Sequence, residues 1–376
     1  MSWSIKLFKV KGIDVKVHLT FVLILAWAAY RWSLSTGAGW QGALFGVVAT
    51  LLLFAAVTLH ELGHSFQALK FGVHVRDITL MPMGGVAQMA EIPEKPSQEL
   101  RIAIAGPLVN FGIAALLIVA GALLQVRSVV SLNELVQSLG SASWSGMLAY
   151  LTMANLALGV FNLIPAFPMD GGRILRALLA MRMDYTRATR IAVNVGQALA
   201  WAIGLLGFLT GAYTLILIAI FVWMGAGQEG KQLDAKSVLQ DIKVGQAMTR
   251  HPFTLSLEDS LEQAMELTLS TAQVDFPIVR KEDGALVGLL TEADLLKGLR
   301  AEGRRPAVSR YMRDSFPTAA PEEPLFSAQV RMAEQRVRAM PIVDKNGRLV
   351  GLLSAADVNE AYRLLSAEPK LAPAAR

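Results

Sequence analysis

Residues 58–66 have the sequence Thr58-Leu-His-Glu-Leu-Gly-His-Ser-Phe66 and lie near the end of a long apolar run. His60 and His64 are four residues apart, so on a helix both imidazoles share one face and can bind a single metal ion. Glu61 then lies beside them as a candidate general base. The stretch therefore predicts a zinc-hydrolase motif on a membrane helix.

The composition is that of a membrane protein rather than an ordinary soluble one. The 376 residues are 53% hydrophobic and the mean hydropathy is +0.44. The net charge of +5 comes from basic residues that cluster at the ends of apolar segments, so we exclude nucleic acid as a partner. The chain has no cysteine, and a transition-metal site must therefore consist of histidine and carboxylate ligands.

Six apolar segments are long enough to cross a bilayer, which takes about 20 helical residues. They lie at 18–35, 42–66, 102–124, 145–165, 189–209 and 211–227. The basic N-terminus precedes an apolar run, but no small-residue cleavage site follows before Trp32, which predicts a retained first transmembrane helix rather than a signal peptide. Lysines precede this segment and none follows it directly, so the positive-inside rule predicts a cytoplasmic N-terminus.

This orientation brings two distant motifs to the same depth. The histidine motif lies at the cytoplasmic end of the second segment, and Asp170 lies at the cytoplasmic end of the fourth. Between the second and third segments, residues 75–89 are too short for a further span and are interrupted by Pro82 and two glycines. They predict a β-hairpin or re-entrant loop, which is tolerated at that depth where it lines a cavity.

The third metal ligand has three candidates. A metzincin would need a histidine at position 70, where this chain has Lys70. Asp77 and Glu91 lie in polar loop sequence, whereas Asp170 follows a helix that is broken by two prolines. Because an ionisable side chain at membrane depth is costly without a role, we favour Asp170.

From about residue 229 the composition becomes that of a soluble protein. A linker at 229–243 precedes an internal repeat in which Phe276-Pro-Ile-Val matches Met340-Pro-Ile-Val. Each repeat predicts a helix, two strands joined by a glycine turn, and a final helix. The predicted domains are 1–228 in the membrane, 244–300 and 308–366 for the repeats, and a disordered tail at 367–376.

The histidine motif together with Asn162-Leu-Ile-Pro-Ala-Phe-Pro-Met-Asp170-Gly-Gly resembles the site-2 protease family of intramembrane zinc metalloproteases. The two repeats resemble a cystathionine-β-synthase-type (CBS) pair. The resemblance implies that His60, His64 and Asp170 bind one zinc ion per chain and that Glu61 is the general base. It also implies that Asn162 lies near the metal, where it would hold the substrate or stabilise the oxyanion.

Two further features follow from the resemblance. Gly106-Pro-Leu-Val-Asn110 looks like the small-residue motif of the family's third span, although close helix packing explains Gly106 and Asn110 equally well. The loop at 75–89 would supply an edge that an extended substrate could join.

The CBS resemblance implies an adenine nucleotide, ATP, ADP or AMP, as a regulator. The residues that would bind it are Thr291, Asp294, Ser354 and Asp357. The same Thr/Ser-x-x-Asp pattern also caps helices, and the sequence leaves both interpretations open. The resemblance further implies a homo-oligomer formed through the CBS domains.

The sequence thus predicts a polytopic α-helical membrane protein with about six transmembrane helices, a short re-entrant or β-hairpin element and a soluble α/β tandem CBS domain. It would lie in the cytoplasmic membrane, with its N-terminus, active-site end and CBS domains in the cytoplasm. It would cleave a membrane-embedded protein near the cytoplasmic face, and a pro-sigma or anti-sigma factor would fit. The alternatives are a CBS-regulated transporter or channel, which would show repeats among its spans, and a non-catalytic membrane scaffold, which would lack Glu61 or a ligand.

Overall fold

The chain divides into two units, Met1–Gly230 and Lys231–Arg376. This computed structural model describes residues 4–82, 84–89, 95–126, 132–138 and 141–367. The predicted disordered tail therefore lies outside the described residues apart from its first residue, which ends the last helix.

The first unit is mainly helical. Its helices are α1 (Phe21–Thr36), α2 (Trp40–Lys70), α3 (Pro96–Leu123), α4 (Leu132–Ser138), α5 (Trp144–Asn162), α6 (Asp170–Ala180), α7 (Tyr185–Thr210) and α8 (Tyr213–Leu239), the last of which ends in the second unit. Among the described residues five of these helices, α2, α3, α5, α7 and α8, are long and apolar enough to cross a membrane. The chain is a multi-pass membrane protein.

Helix α1 corresponds to the first predicted span but has only 16 residues. A full crossing takes about 20 residues, so α1 falls short of that length on its own. Its outer surface is nevertheless apolar, with Leu23, Trp27 and Leu34 more than half exposed. Its inner surface packs on α2, where the rings of Phe21 and Phe54 meet edge to face at 4.7 Å between centroids. It therefore belongs to the membrane bundle.

A four-stranded sheet completes the first unit. Its strands are β1 (Ser4–Val10), β2 (Ile13–His18), β3 (Val75–Met81) and β4 (Gly84–Met89), in the order β1-β2-β3-β4. Strands β2 and β3 are parallel and the other two pairs are antiparallel. The β-hairpin predicted within 75–89 is confirmed as β3 and β4, whereas the hairpin of β1 and β2 was not predicted.

The second unit contains the two predicted repeats. Its elements are α9 (Val244–Ala247), α10 (Leu261–Ser270), β5 (Phe276–Val279), β6 (Leu286–Leu290), α11 (Glu292–Glu302), α12 (Leu325–Gln335), β7 (Ala339–Val343), β8 (Leu349–Ser354) and α13 (Ala355–Ala367). Each repeat has its own core, with Phe276 and Ile278 in one and Met340 and Ile342 in the other, all fully buried. The predicted order of helix, two strands and helix is confirmed in both.

The repeats exchange backbone hydrogen bonds. Thr249, at the start of the first repeat, pairs with Leu352 on β8, and Arg313, at the start of the second, pairs with Leu289 on β6. The two halves therefore pair with each other in equivalent positions.

Candidate metal centre

Three predicted ligands from two distant parts of the chain meet at one point. His60 and His64 lie on α2, and Asp170 is the first residue of α6. The Nε2 atoms of the histidines are 3.1 Å apart, and Asp170 Oδ2 lies 3.2 Å from His60 Nε2 and 3.1 Å from His64 Nε2. All three side chains are buried. Within the described part of the chain, this is the one group of three whose ligand atoms converge in this way.

The hydrogen bonds behind the histidines determine which ring nitrogens carry protons. His60 Nδ1 lies 2.5 Å from Asn110 Oδ1, and His64 Nδ1 lies 2.7 Å from the carbonyl oxygen of Ile102. Both oxygens can only accept, so both Nδ1 atoms donate, which leaves a lone pair on each Nε2 of a neutral imidazole.

Two nitrogen lone pairs and a carboxylate oxygen therefore face one another without a proton between them. Asp170 Oδ2 is buried and has no hydrogen-bond partner among the described residues. A buried acceptor of this kind is costly unless a cation satisfies it. In a tetrahedral zinc site the ligand atoms are roughly 3.3 Å or slightly more apart, so the observed triangle fits Zn²⁺.

The turn before α6 delivers Asp170 to this point. A Cβ atom at Gly172 would lie 2.6 Å from the backbone nitrogen of Phe167, and one at Gly171 would lie 2.5 Å from the carbonyl carbon of Ile164. The two glycines therefore allow the chain to fold back closely after α5. Asp170 then begins α6, where the partial positive charge of the helix N-terminus favours a carboxylate.

Small residues also bring α3 against the histidine face of α2. A Cβ atom at Gly106 would lie 2.7 Å from Cε1 of His60 and would overlap the ring of His64. A Cβ atom at Gly63 would lie 2.9 Å from Val109 Cγ2. The small-residue motif on α3 thus serves the site as well as the packing, because Gly106 leaves room for both imidazoles.

Glu61 lies on the same helix, between the two histidines in sequence, and is half-buried. Strand β4 passes directly over it, since a Cβ atom at Gly85 would lie 2.7 Å from Glu61 Cγ. Because position 85 has no side chain, the backbone of this edge strand can approach the carboxylate closely.

Other predicted residues lie elsewhere. Asn162 is the last residue of α5 and its Nδ2 donates to the carbonyl of Leu158 at 3.1 Å, so its proximity to the metal stays a prediction. Asp77 is buried on β3 and its Oδ2 accepts from Lys16 Nζ at 2.7 Å. Glu91 lies outside the described residues.

A buried ion cluster holds α6 in place. Arg176 Nε donates to Glu99 Oε1 on α3 at 2.8 Å, and its Nη1 contacts Glu229 on α8. The rings of Phe167 and Tyr185 flank the guanidinium at 5.0 and 5.1 Å. The helix that begins with Asp170 is therefore tied to α3 and α8, and this role of Arg176 and its partners was not predicted from the sequence.

In the second unit, the four predicted nucleotide-binding residues form two equivalent pairs. Thr291 Oγ1 accepts from the backbone nitrogen of Asp294 at 3.3 Å, and Ser354 Oγ accepts from that of Asp357 at 3.1 Å. The hydroxyls thus cap α11 and α13. Nearby, burial raises the pKa of the Asp275 carboxyl, although the backbone nitrogen of Glu292 donates to it at 3.0 Å.

Comparison with known proteins agrees with the two units. A family model described as peptidase family M50 matches residues 48–203, and a CBS domain model matches residues 244–301 and 308–364.

Full-length relatives are also found. A zinc metalloprotease of Methanocaldococcus jannaschii is 35% identical over 99% of this chain and 99% of its own length. Rip3 of Mycobacterium tuberculosis is 31% identical over 98% of this chain and 96% of its own length. The solved structure of a site-2 protease from M. jannaschii aligns with 61% of this chain and 95% of its own length, at 43% identity and a TM-score of 0.44.

Proposed function

Since this chain belongs to peptidase family M50 and is a zinc metalloprotease of the site-2 protease type with a CBS pair, we propose that it hydrolyses a peptide bond of a membrane-embedded protein near the cytoplasmic face. The observation that carries the proposal is the convergence of His60, His64 and Asp170, whose ligand atoms lie within 3.2 Å of one another. Family membership favours the enzyme over the transporter and scaffold alternatives.

Each residue of the site has a separate role in the proposed hydrolysis. His60, His64 and Asp170 would hold zinc, which would polarise the substrate carbonyl and lower the pKa of a water molecule. Glu61 would take a proton from the attacking water as the C–O bond forms. It would then pass that proton to the amine nitrogen as the C–N bond breaks. Asn162 remains our candidate for holding the scissile carbonyl.

The substrate would bind as an extended strand. A transmembrane helix must unwind before a peptide bond can be cut, and its freed backbone groups then need partners. Strand β4 ends the sheet order, so its outer edge is unpaired among the described strands. Gly85 brings that strand against Glu61, which supports strand addition at β4 beside the general base.

The positive-inside rule supports a cytoplasmic N-terminus, because lysines at positions 6, 9, 11 and 16 precede α1. The histidine motif at the C-terminal end of α2 then faces the cytoplasm, as do the CBS domains. A pro-sigma or anti-sigma factor is the substrate class that we propose to test first.

Removal of zinc should abolish cleavage reversibly. We expect ortho-phenanthroline to stop cleavage of a co-reconstituted single-span substrate by the purified protein, and added Zn²⁺ to restore it. The measurement is the appearance of a new substrate terminus by mass spectrometry, and non-chelating meta-phenanthroline is the control. Cleavage that survives chelation, or that maps outside the membrane segment, would contradict the proposal.

We propose further that adenine nucleotide binds the CBS pair chiefly at Asp357. Asp294 is already held by Arg313, whose Nε donates to its Oδ2 at 2.6 Å. The position equivalent to Arg313 in the other half is Thr249, and Asp357 forms no ion pair with any residue that the structure describes. Among the described residues Asp357 accepts only from Ser354, whose backbone nitrogen and hydroxyl both lie 2.7 Å from its Oδ2, so its Oδ1 is available to ribose hydroxyls.

A pair of matched variants tests this asymmetry. Asp357→Ala should weaken ATP binding to the full chain about tenfold or more, because a charged hydrogen bond is lost, whereas Asp294→Ala should change it less than about threefold. Calorimetric titration in detergent micelles measures both affinities. An equal loss in the two variants, or no binding of ATP to the wild type, would refute the asymmetric site.

A further inference from the structure

A chain of buried amides lies behind His60 and joins three membrane helices. His60 Nδ1 lies 2.5 Å from Asn110 Oδ1 on α3, and Asn110 Nδ2 donates to Asn155 Oδ1 on α5 at 3.0 Å. Asn155 Nδ2 in turn donates to the carbonyl of Leu151 at 2.8 Å. Asn110 is fully buried and Asn155 is 1% exposed, so water does not compete for these bonds.

The orientation of both amides is determined at Asn155, the end of the series that lies away from His60. The carbonyl of Leu151 can only accept, so the amide nitrogen of Asn155 must face it and the amide oxygen must face α3. Among the described residues that oxygen accepts from the amide nitrogen of Asn110, which turns the oxygen of Asn110 towards His60. His60 must then donate from Nδ1 and keep the lone pair on Nε2 for the metal.

Without Asn155, Asn110 could present either end of its amide to His60. An amide nitrogen facing Nδ1 would favour the opposite tautomer, in which Nε2 carries the proton and cannot ligate a metal. His64 does not share this dependence, because its Nδ1 donates to the backbone carbonyl of Ile102. The orientation of His60 is therefore the one that depends on side chains of other helices.

Helix α5 offers an internal comparison. Thr152 lies one turn before Asn155, is fully buried, and its hydroxyl has no hydrogen-bond partner in the described part of the chain. The Thr152 hydroxyl therefore has no hydrogen-bonded connection to the metal centre among the described residues, whereas Asn155 is connected to it through Asn110.

We propose that Asn155 is a positioning residue that sets the tautomer and ring orientation of His60 through Asn110. The inference rests on the proposed role of His60 as a zinc ligand. Outer-shell partners of metal-binding histidines typically change metal affinity about 10–100-fold when they are removed. Asn155 never touches the metal, so its effect must pass through Asn110.

The main test is Asn155→Leu, which removes both ends of the amide at similar volume. Zinc affinity, measured by competition with a fluorescent chelator, should fall about 10–100-fold. The Co²⁺-loaded protein should show a shifted visible absorption spectrum, which reports the ligand field and not cleavage. Thr152→Val is the matched control on the same helix and should leave both readouts unchanged.

A rescue variant separates positioning from general damage to the fold. In Asn110→Asp either carboxylate oxygen can accept from His60 Nδ1, so the side chain at position 110 no longer needs Asn155 to orient it. The double variant Asn110→Asp with Asn155→Leu should recover most of the zinc affinity that Asn155→Leu loses. If the double variant does not recover zinc affinity, the inference is overturned. This holds also if Asn155→Leu alone is unstable.

His60→Ala distinguishes failure of this inference from failure of the proposed function. If His60→Ala loses zinc while Asn155→Leu binds it as tightly as the wild type, only the positioning role is refuted. If His60→Ala keeps zinc with unchanged affinity, His60 is not a ligand. Both the proposed zinc site and the positioning role of Asn155 are then refuted.

Discussion

Glu61→Gln is expected to abolish peptide cleavage and to leave one zinc ion bound per chain. The amide has nearly the same shape as the carboxylate but cannot take a proton from water. General-base catalysis is typically worth about 10²–10⁴ in rate, so less than about a hundredth of the wild-type rate should remain. Zinc should stay because Glu61 is not one of the three converging ligands.

The measurement pairs two assays on the same preparation. Zinc per chain is determined by elemental mass spectrometry, and cleavage is followed with a single-span substrate in liposomes. Glu61→Asp is the informative control, since it keeps a carboxylate but shortens the side chain by one methylene; it should retain more activity than Glu61→Gln. A Glu61→Gln protein that cleaves at a tenth of the wild-type rate would exclude Glu61 as the base.

Much of the site was predictable because its signals are local. The spacing of His60 and His64 follows from helix periodicity alone, and the structure places both on one face of α2. Asp170 was favoured because an ionisable residue at membrane depth is costly, and the structure brings it to the histidines. The CBS repeats were predicted from matching strand sequences at a constant offset.

What was missed depends on contacts between distant parts of the chain. No spacing rule connects Asn155 with Asn110, which are 45 residues apart, or Arg176 with Glu99, which are 77 apart. Asn155 did carry a signal, because it is an isolated amide inside the apolar stretch of α5. Such residues commonly hydrogen-bond between membrane helices.

The hairpin of β1 and β2 was missed for a different reason. Its lysines on their own predict only a basic segment before the first span. Ile13, Val15 and Val17 alternate with polar residues, which is the period of a half-buried strand. Lys11 and Gly12 both have positive φ, 45° and 91°, as expected for a tight two-residue hairpin turn.

Asp170→Ala is expected to lose both zinc and cleavage. It removes one of three ligand atoms, and the two remaining nitrogens leave an incomplete site. The loss of zinc affinity should exceed the roughly 100-fold that bounds outer-shell changes, because a ligand is lost and not merely its support. Zinc titration of the purified variant measures this directly, and the same preparation is assayed for cleavage.

Asp77→Ala is the matched control, because Asp77 is also a buried carboxylate of the first unit but is paired with Lys16. It should lose stability, since the partly buried Lys16 then lacks its ion-pair partner, and it should keep zinc. If Asp170→Ala instead keeps full zinc stoichiometry, the third ligand must be Asp77 or Glu91. The contrast with Glu61→Gln is the sharper result: that variant loses catalysis and keeps the metal, whereas Asp170→Ala loses catalysis because it loses the metal.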